Sequence, residues 1–243
     1  MKTMKFCDLH THVLPGVDDG AQEMEYALQM LQNAAASDVA QLAVTPHCHV
    51  QGSMQNFLDH GLKDRFSQLQ QAAKDIPVAL VLGAEVLAEP EILPLLKSKK
   101  IPTLNGGRYL LTEFPAHTSP CDFEILLQQI LELGYLPVIA HPERYWAVCE
   151  KPQIVLPWLD MGCHLQLTGG SILGEFGTEA QRCAAALLQN DLVACVASDA
   201  HGVHHRSNFL LDVYDHLALR YSKAYAQCLM YEIPMGICLD QDI

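Results

Sequence analysis

Apolar runs of four to eight residues recur along the chain, separated by stretches in which apolar residues return every three or four positions. The runs Lys5–Leu9, Val39–Thr45, Val78–Glu85, Tyr109–Glu113, Leu136–Ala140, His164–Leu167 and Leu192–Ala197 read as strands. Met4, Phe6 and Leu9, the apolar residues before His10, mark the first as a short buried strand. The helical spacing falls on Met24–Ala36, Asn56–Ala73, Phe123–Leu133 and Thr178–Leu188, with Phe209–Leu219 and Lys223–Tyr231 following the last strand. Near-continuous apolar strands between amphipathic helices predict a parallel sheet covered on its outer face. Seven such units in 243 residues predict one barrel-like domain, residues 1–243. The rival arrangement, a doubly wound open sheet, usually carries a Gly-rich phosphate turn after its first strand. Here that position holds "HTHVLPG".

Composition narrows the function. Half of the residues are hydrophobic, enough for a sizeable core, and no run approaches the length of a membrane span. Met1–Leu14 lacks the apolar centre of a signal peptide. A net charge of −13 without any basic run argues against nucleic acid as a partner. Nine scattered cysteines fit free thiols in a reducing cytosol.

Twelve histidines give the candidate chemistry. "HTH" places His10 and His12 on one face of an extended strand, with Asp18 and Asp19 arriving from the turn that follows. Five later strands also end in metal-ligand types: "TPHCH" (His47, His49), "GAEV" (Glu85), "LTEF" (Glu113), "AHPER" (His141) and "SDAH" (Asp199, His201). Side chains at the C-terminal ends of parallel barrel strands converge on one face. A lone histidine is ordinarily a core or surface residue, but six strand-end coincidences are not. Imidazoles mixed with carboxylates, and no cysteine among the strand-end ligands, suit Mn²⁺, Fe or Zn²⁺, and the ligands are too numerous for one ion.

The segments "DLHTHVLPGVDDG", "TPHCH", "GAEV", "LNGGRYLLTEF", "VIAHPERY", "DMGCHLQ" and "ASDAHGVHHR" resemble the polymerase-and-histidinol-phosphatase (PHP) superfamily. Within it they resemble the metal-dependent bacterial protein-tyrosine phosphatases of the CpsB/YwqE type. The resemblance runs in order to about Arg206. It implies a distorted (β/α)₇ barrel of the TIM type with three divalent ions, foremost Mn²⁺, at the C-terminal ends of the strands. By that resemblance His10, His12, Glu85 and Asp199 hold one ion, Glu85 bridging to a second that Glu113 and His141 complete. Asp19, His47 and His201 hold the third, with Asp18 a structural neighbour. Arg144 and Arg206 are implied in phosphate binding and catalysis.

Such a site suits phosphate monoesters. Paired ions can share and activate a hydroxide while clamping the phosphoryl oxygens, and arginine adds a planar fork for the charge of the transferring group. The implied partner is a tyrosine-phosphorylated protein, the tail of a bacterial autokinase that controls capsule or exopolysaccharide synthesis. The alternatives are a small-molecule phosphoesterase such as a histidinol phosphatase, and a non-catalytic metal-binding regulatory domain. A cysteine phosphatase is excluded, because no cysteine is followed six positions later by arginine. His49, His204 and His205 exceed the family pattern and read as solvated loop residues. "QLTGGS" has a small polar character but offers no obvious ligand. Arg108 and Tyr109 read as structural.

Overall fold

A computed structural model describes residues 5–243; Met4 of the first predicted strand lies outside them. Among the described residues nine strands, all paired in parallel, make two sheets. The first holds β1 (Phe6–Thr11), β2 (Val39–Val44) and β4 (Ala79–Leu82), in the order β1-β2-β4. The second runs β3 (His47–Cys48), β5 (Glu85–Leu87), β6 (Tyr109–Glu113), β7 (Leu136–Ala140), β8 (His164–Thr168) and β9 (Cys195–Ala197), in that order.

The nine strands form seven staves. β2 and β3 are one stave broken at Thr45-Pro46, where proline removes a ladder donor. β4 and β5 are another, broken at Gly83-Ala84, so the single strand expected over Val78–Glu85 changes sheets midway. Backbone bonds from Gly83 N to Val44 O (2.9 Å) and Glu85 N to Pro46 O (3.1 Å) carry the pairing across both breaks. The ring closes between the first stave and the last. His12 N donates to Ala200 O (2.8 Å) and Asp199 N to His10 O (2.9 Å), while the buried Asp8 carboxylate accepts from Ser198 N (2.9 Å). The distorted (β/α)₇ barrel is thereby realised.

Strand alternation divides the core in two. Leu42, Leu110, Ile139, Leu165, Leu167 and Val196 face outward into the layer beneath the helices. Ala43, Tyr109, Leu111, Val138, Ala140, Cys195 and Ala197 face the barrel interior. Three of these interior residues are alanines, as a narrow seven-stave barrel requires. The helix Ile233–Cys238 closes the lower end, with Ile237 and Cys238 buried against Cys7 and Leu9. It follows a π-helical turn at Cys228–Glu232, which replaces the end of the helix expected to Tyr231. Tyr109 and Arg108 are structural, as expected: the Tyr109 hydroxyl donates to Gln241 O (2.6 Å), and Arg108 pairs with Asp240 and Asp242.

The helices follow their signals closely. Met24–Ala36 is helical over the predicted span. The second begins only at His60, because the Asp59 side chain caps it by accepting from Leu62 N. A third, Pro120–Glu132, is capped by Ser119 and carries proline in its first turn.

Candidate metal centre

The strand ends bring the predicted ligands together at the upper mouth of the barrel. His10 Nε2 and His12 Nε2 lie 3.1 Å apart. Glu85 Oε2 stands 3.2 Å from each, and Asp199 Oδ1 stands 3.4 and 3.5 Å from them. Ligands about 2.0–2.1 Å from a tetrahedral ion stand about 3.3 Å from one another, so these four atoms have the spacing of a coordination sphere. Glu85 Oε2 and Asp199 Oδ1 are buried without a hydrogen-bond partner, a costly state that a cation removes. The residues therefore fit a metal ion.

Two further groups adjoin the first. Glu85, Glu113 and His141 form one, with His141 Nε2 at 2.8 Å from Glu85 Oε1 and 3.7 Å from Glu113 Oε1. Asp19, His47 and His201 form the other, both imidazoles placing Nε2 3.4 Å from Asp19 Oδ1; His12 stands at its edge. His47 Nδ1 also lies 3.1 Å from Glu85 Oε2, so Glu85 sits among four imidazoles. His49 departs from its expected place in solvent. It is half-buried and groups with His47 and Glu113, because the short β3 directs the "HCH" segment into the mouth. His204 and His205 are exposed, as expected.

Electrostatics bear the imprint of crowding. Burial opposes the Glu85 carboxylate, yet His10, His12 and His141 hold its pKa well below the ordinary range. Asp199 is likewise opposed by burial and held well below by His10 and His12. Glu113 goes the other way, pushed up to about 7 by burial and then by the charge of Glu85. A divalent cation relieves that repulsion.

The segment between His10 and Gly20 has a division of labour. Asp18 Oδ2 accepts from His12 Nδ1 (2.8 Å) and from His47 N (3.1 Å), leaving the His12 Nε2 lone pair free for a cation. Asp19 turns outward and half-exposed toward His47 and His201. Gly20 ends the turn because a Cβ there would run into the His12 carbonyl.

"HPERY" divides in the same way. His141 joins the ligand cluster, and the Glu143 carboxylate, fully buried, accepts from Thr168 N (3.0 Å) at the end of β8. Arg144 Nη1 donates to Asp199 Oδ2 at 2.8 Å. The Tyr145 hydroxyl donates to Ala140 O (2.7 Å) and accepts from Phe114 N (3.1 Å), tying β7 to the end of β6. Arg206 Nη2 reaches the same Asp199 Oδ2, also at 2.8 Å. Asp199 thus faces the imidazoles with one oxygen and two guanidinium groups with the other. His141, Asp199 and Arg206 all adopt positive φ (37°, 53° and 47°), a conformation that side chains disfavour by about 1–2 kcal/mol per residue.

Two polar residues of the site escape a sequence reading. Gln166, fully buried on β8, accepts from His10 Nδ1 at 2.9 Å and orients that ring as Asp18 orients His12. It lies in "QLTGGS", which supplies this orienting group although no ligand. Asp8 staples the barrel seam, as described above. A polar residue inside an apolar strand is the signal both leave in the sequence.

Thiol chemistry has no foothold here. All nine cysteines are free, only Cys121 is exposed, and burial pushes the Cys48 and Cys163 thiols up to about 12. Among the described residues no helix is long and apolar enough to cross a membrane.

Comparison with known proteins agrees with this geometry. The tyrosine-protein phosphatase CpsB of Streptococcus pneumoniae is 34% identical over 241 residues, covering 96% of this chain and 98% of that protein. A solved structure of the metal-dependent tyrosine phosphatases YwqE from Bacillus subtilis and CpsB from S. pneumoniae superimposes with a TM-score of 0.91. It is 30% identical and covers 98% of this chain and 96% of the other. The phosphotriesterase homology protein of Escherichia coli, 11% identical over 96% of this chain and 98% of its own, shares the fold alone (TM-score 0.61). The family defined by capsular polysaccharide synthesis proteins CpsB/CapC matches residues 6–238, and the chain belongs to that family.

Proposed function

We propose that this protein is a metal-dependent phosphotyrosine-protein phosphatase in which residues 1–243 act as one domain. Asp199 carries the reading: its two oxygens join a cation cradle to a pair of arginines. One carboxylate cannot balance two guanidinium groups and a cation cluster together, so the mouth keeps an excess of positive charge that a further anion can meet. A phosphoryl group is such an anion, and the two forks match its oxygens.

In this reading His10, His12, Glu85 and Asp199 would hold one ion, and Glu85, Glu113 and His141 a second. Asp19, His47 and His201 would hold the third. Divalent ions held there, foremost Mn²⁺ with Fe or Zn²⁺ as alternatives, would supply charge neutralisation and a lowered proton affinity of bound water. The chain's own residues do the rest. Arg144 and Arg206 are about one-third exposed, so their tips meet a phosphomonoester arriving from solvent. Asp18 and Gln166 keep His12 and His10 in the tautomer that leaves Nε2 free. A tyrosyl phenolate, with a reference pKa of about 10, departs without needing a strong acid.

Membership in a capsular-polysaccharide family supports a partner of the same setting: the phosphotyrosine-bearing tail of a bacterial autokinase in the cytoplasm. The test compares phosphotyrosine peptide, phosphoserine peptide and histidinol phosphate with defined metals. Phosphotyrosine peptide should be preferred, with more than one metal equivalent bound per chain. Chelation should abolish turnover and thiol alkylation should spare it. Arg206→Ala should lose roughly 3–4 kcal/mol of transition-state stabilisation while keeping its metal, and Lys should rescue it poorly. Preference for histidinol phosphate, or wild-type turnover in Arg206→Ala, overturns the proposal.

A further inference from the structure

The two arginines share more than Asp199. Arg144 Cζ lies 4.8 Å from the centroid of the Phe176 ring, and Arg206 Cζ lies 5.8 Å from it. Both are within the range where a cation is drawn to an aromatic face. The ring is seated on Gly170, left without a role by the ligand assignment: a Cβ there would stand 2.9 Å from Phe176 Cε2 and 2.9 Å from Glu175 Oε2. Phe176 itself sits between Gly174 and Gly177, both at φ +89°, on a loop folded back so that Glu175 N donates to Gly170 O (2.9 Å). Two like charges converging on one carboxylate oxygen repel. The negative face of a ring beside both offsets part of that repulsion and limits the planes the guanidinium groups can adopt.

We propose that Phe176, seated on Gly170, is a positioning residue that holds Arg144 and Arg206 together in the orientation that receives the phosphoryl group. The inference rests on the phosphatase reading above. Phe176 touches no reacting atom; it acts through the two arginines. The ring is half-buried and borders a cleft of about 650 Å³ instead of the packed core, so truncation leaves the barrel intact.

The experiment uses the full metal-loaded chain and the variants F176A, F176L, F176Y and F176W. Four quantities are read: turnover and KM on phosphotyrosine peptide, inhibition by inorganic phosphate, metal content, and Tm. F176A and F176L should each lose about tenfold in kcat and bind inorganic phosphate about tenfold more weakly, since two cation–π contacts are at stake. F176Y and F176W should stay within about threefold of wild type, because they keep the aromatic face. Metal content and Tm should match wild type throughout. Bulk-filling alone predicts the opposite ranking, with F176L active and F176W impaired. That ranking, or phosphate affinity indifferent to F176A, overturns the platform while leaving the phosphatase reading intact. A wild-type chain inactive on phosphotyrosine peptide, whose phosphate affinity still depends on Phe176, overturns the phosphatase reading and leaves the platform.

Discussion

The floor and the mouth of this barrel are made by the same strands and are opposite environments. On β6, Tyr109 and Leu111 face an apolar interior, and Glu113, two residues further along the same face, enters the metal centre. On β7, Val138 and Ala140 face the same interior, and His141, the next residue, enters the centre from a left-handed conformation (φ 37°) just past the strand. At the floor an apolar cluster that includes the thiols of Cys7, Cys195 and Cys238 fills the interior, and a helix seals the opening. At the mouth, Glu85 Oε2, Asp199 Oδ1, His47 Nδ1 and His201 Nε2 are buried without hydrogen-bond partners. The lower half supplies stability with little chemistry, and the upper half stores chemistry at a cost in stability. A strand end is where one can change into the other within two residues.

Substitutions at the two ends should break this contrast in opposite directions. The largest effect belongs to Glu85→Gln, because Glu85 touches four imidazoles and amide nitrogen cannot replace carboxylate oxygen toward a cation. Turnover should fall at least about a hundredfold and bound metal should drop, as metal analysis alongside steady-state rates will show. Retained metal and rate would falsify the assignment of Glu85 as a ligand. Ile237→Ala, at the floor, should cost about 2–4 kcal/mol of unfolding free energy and leave kcat unchanged in the folded enzyme. Denaturant titration paired with rates checks this, and a loss of kcat at unaltered stability would show that the two ends are coupled. The smallest effect is expected for Asp18→Asn, which keeps the volume but weakens the bond to His12 Nδ1. Metal affinity should weaken by about ten- to a hundredfold, measured by competition with a chelator. An affinity equal to wild type would leave Asp18 a turn-former only.

Legibility in the sequence divides along a similar line. Strands buried on both faces and helices with one apolar stripe announce themselves locally, and so do ligand types placed at strand ends. The two broken staves were less legible: Pro46 and Gly83 mark the breaks, but only pairing shows that the halves belong to different sheets. The groups that orient the ligands are the least visible. Gln166 acts on a ring 156 positions away, and Asp8 acts on Ser198 190 positions away. Nothing beside Gln166 names its target. Phe176 carries no ionisable group and is found only once the arginines are seen to lie over it.

The seam between β1 and β9 also sets an order in time. His10 and His12 leave the ribosome about 10–40 s before Asp199 at ordinary rates of synthesis, since the Asp8–Ser198 contact spans 190 residues. Cys7 meets Cys238 across 231 residues, so the floor is sealed later still. By residue 141 the strand β1 already has its partner β2 and the Glu85, Glu113 and His141 group is synthesised, but the other two groups still lack Asp199 and His201. The two groups that draw on the last stave are therefore completed together, at the moment the barrel closes.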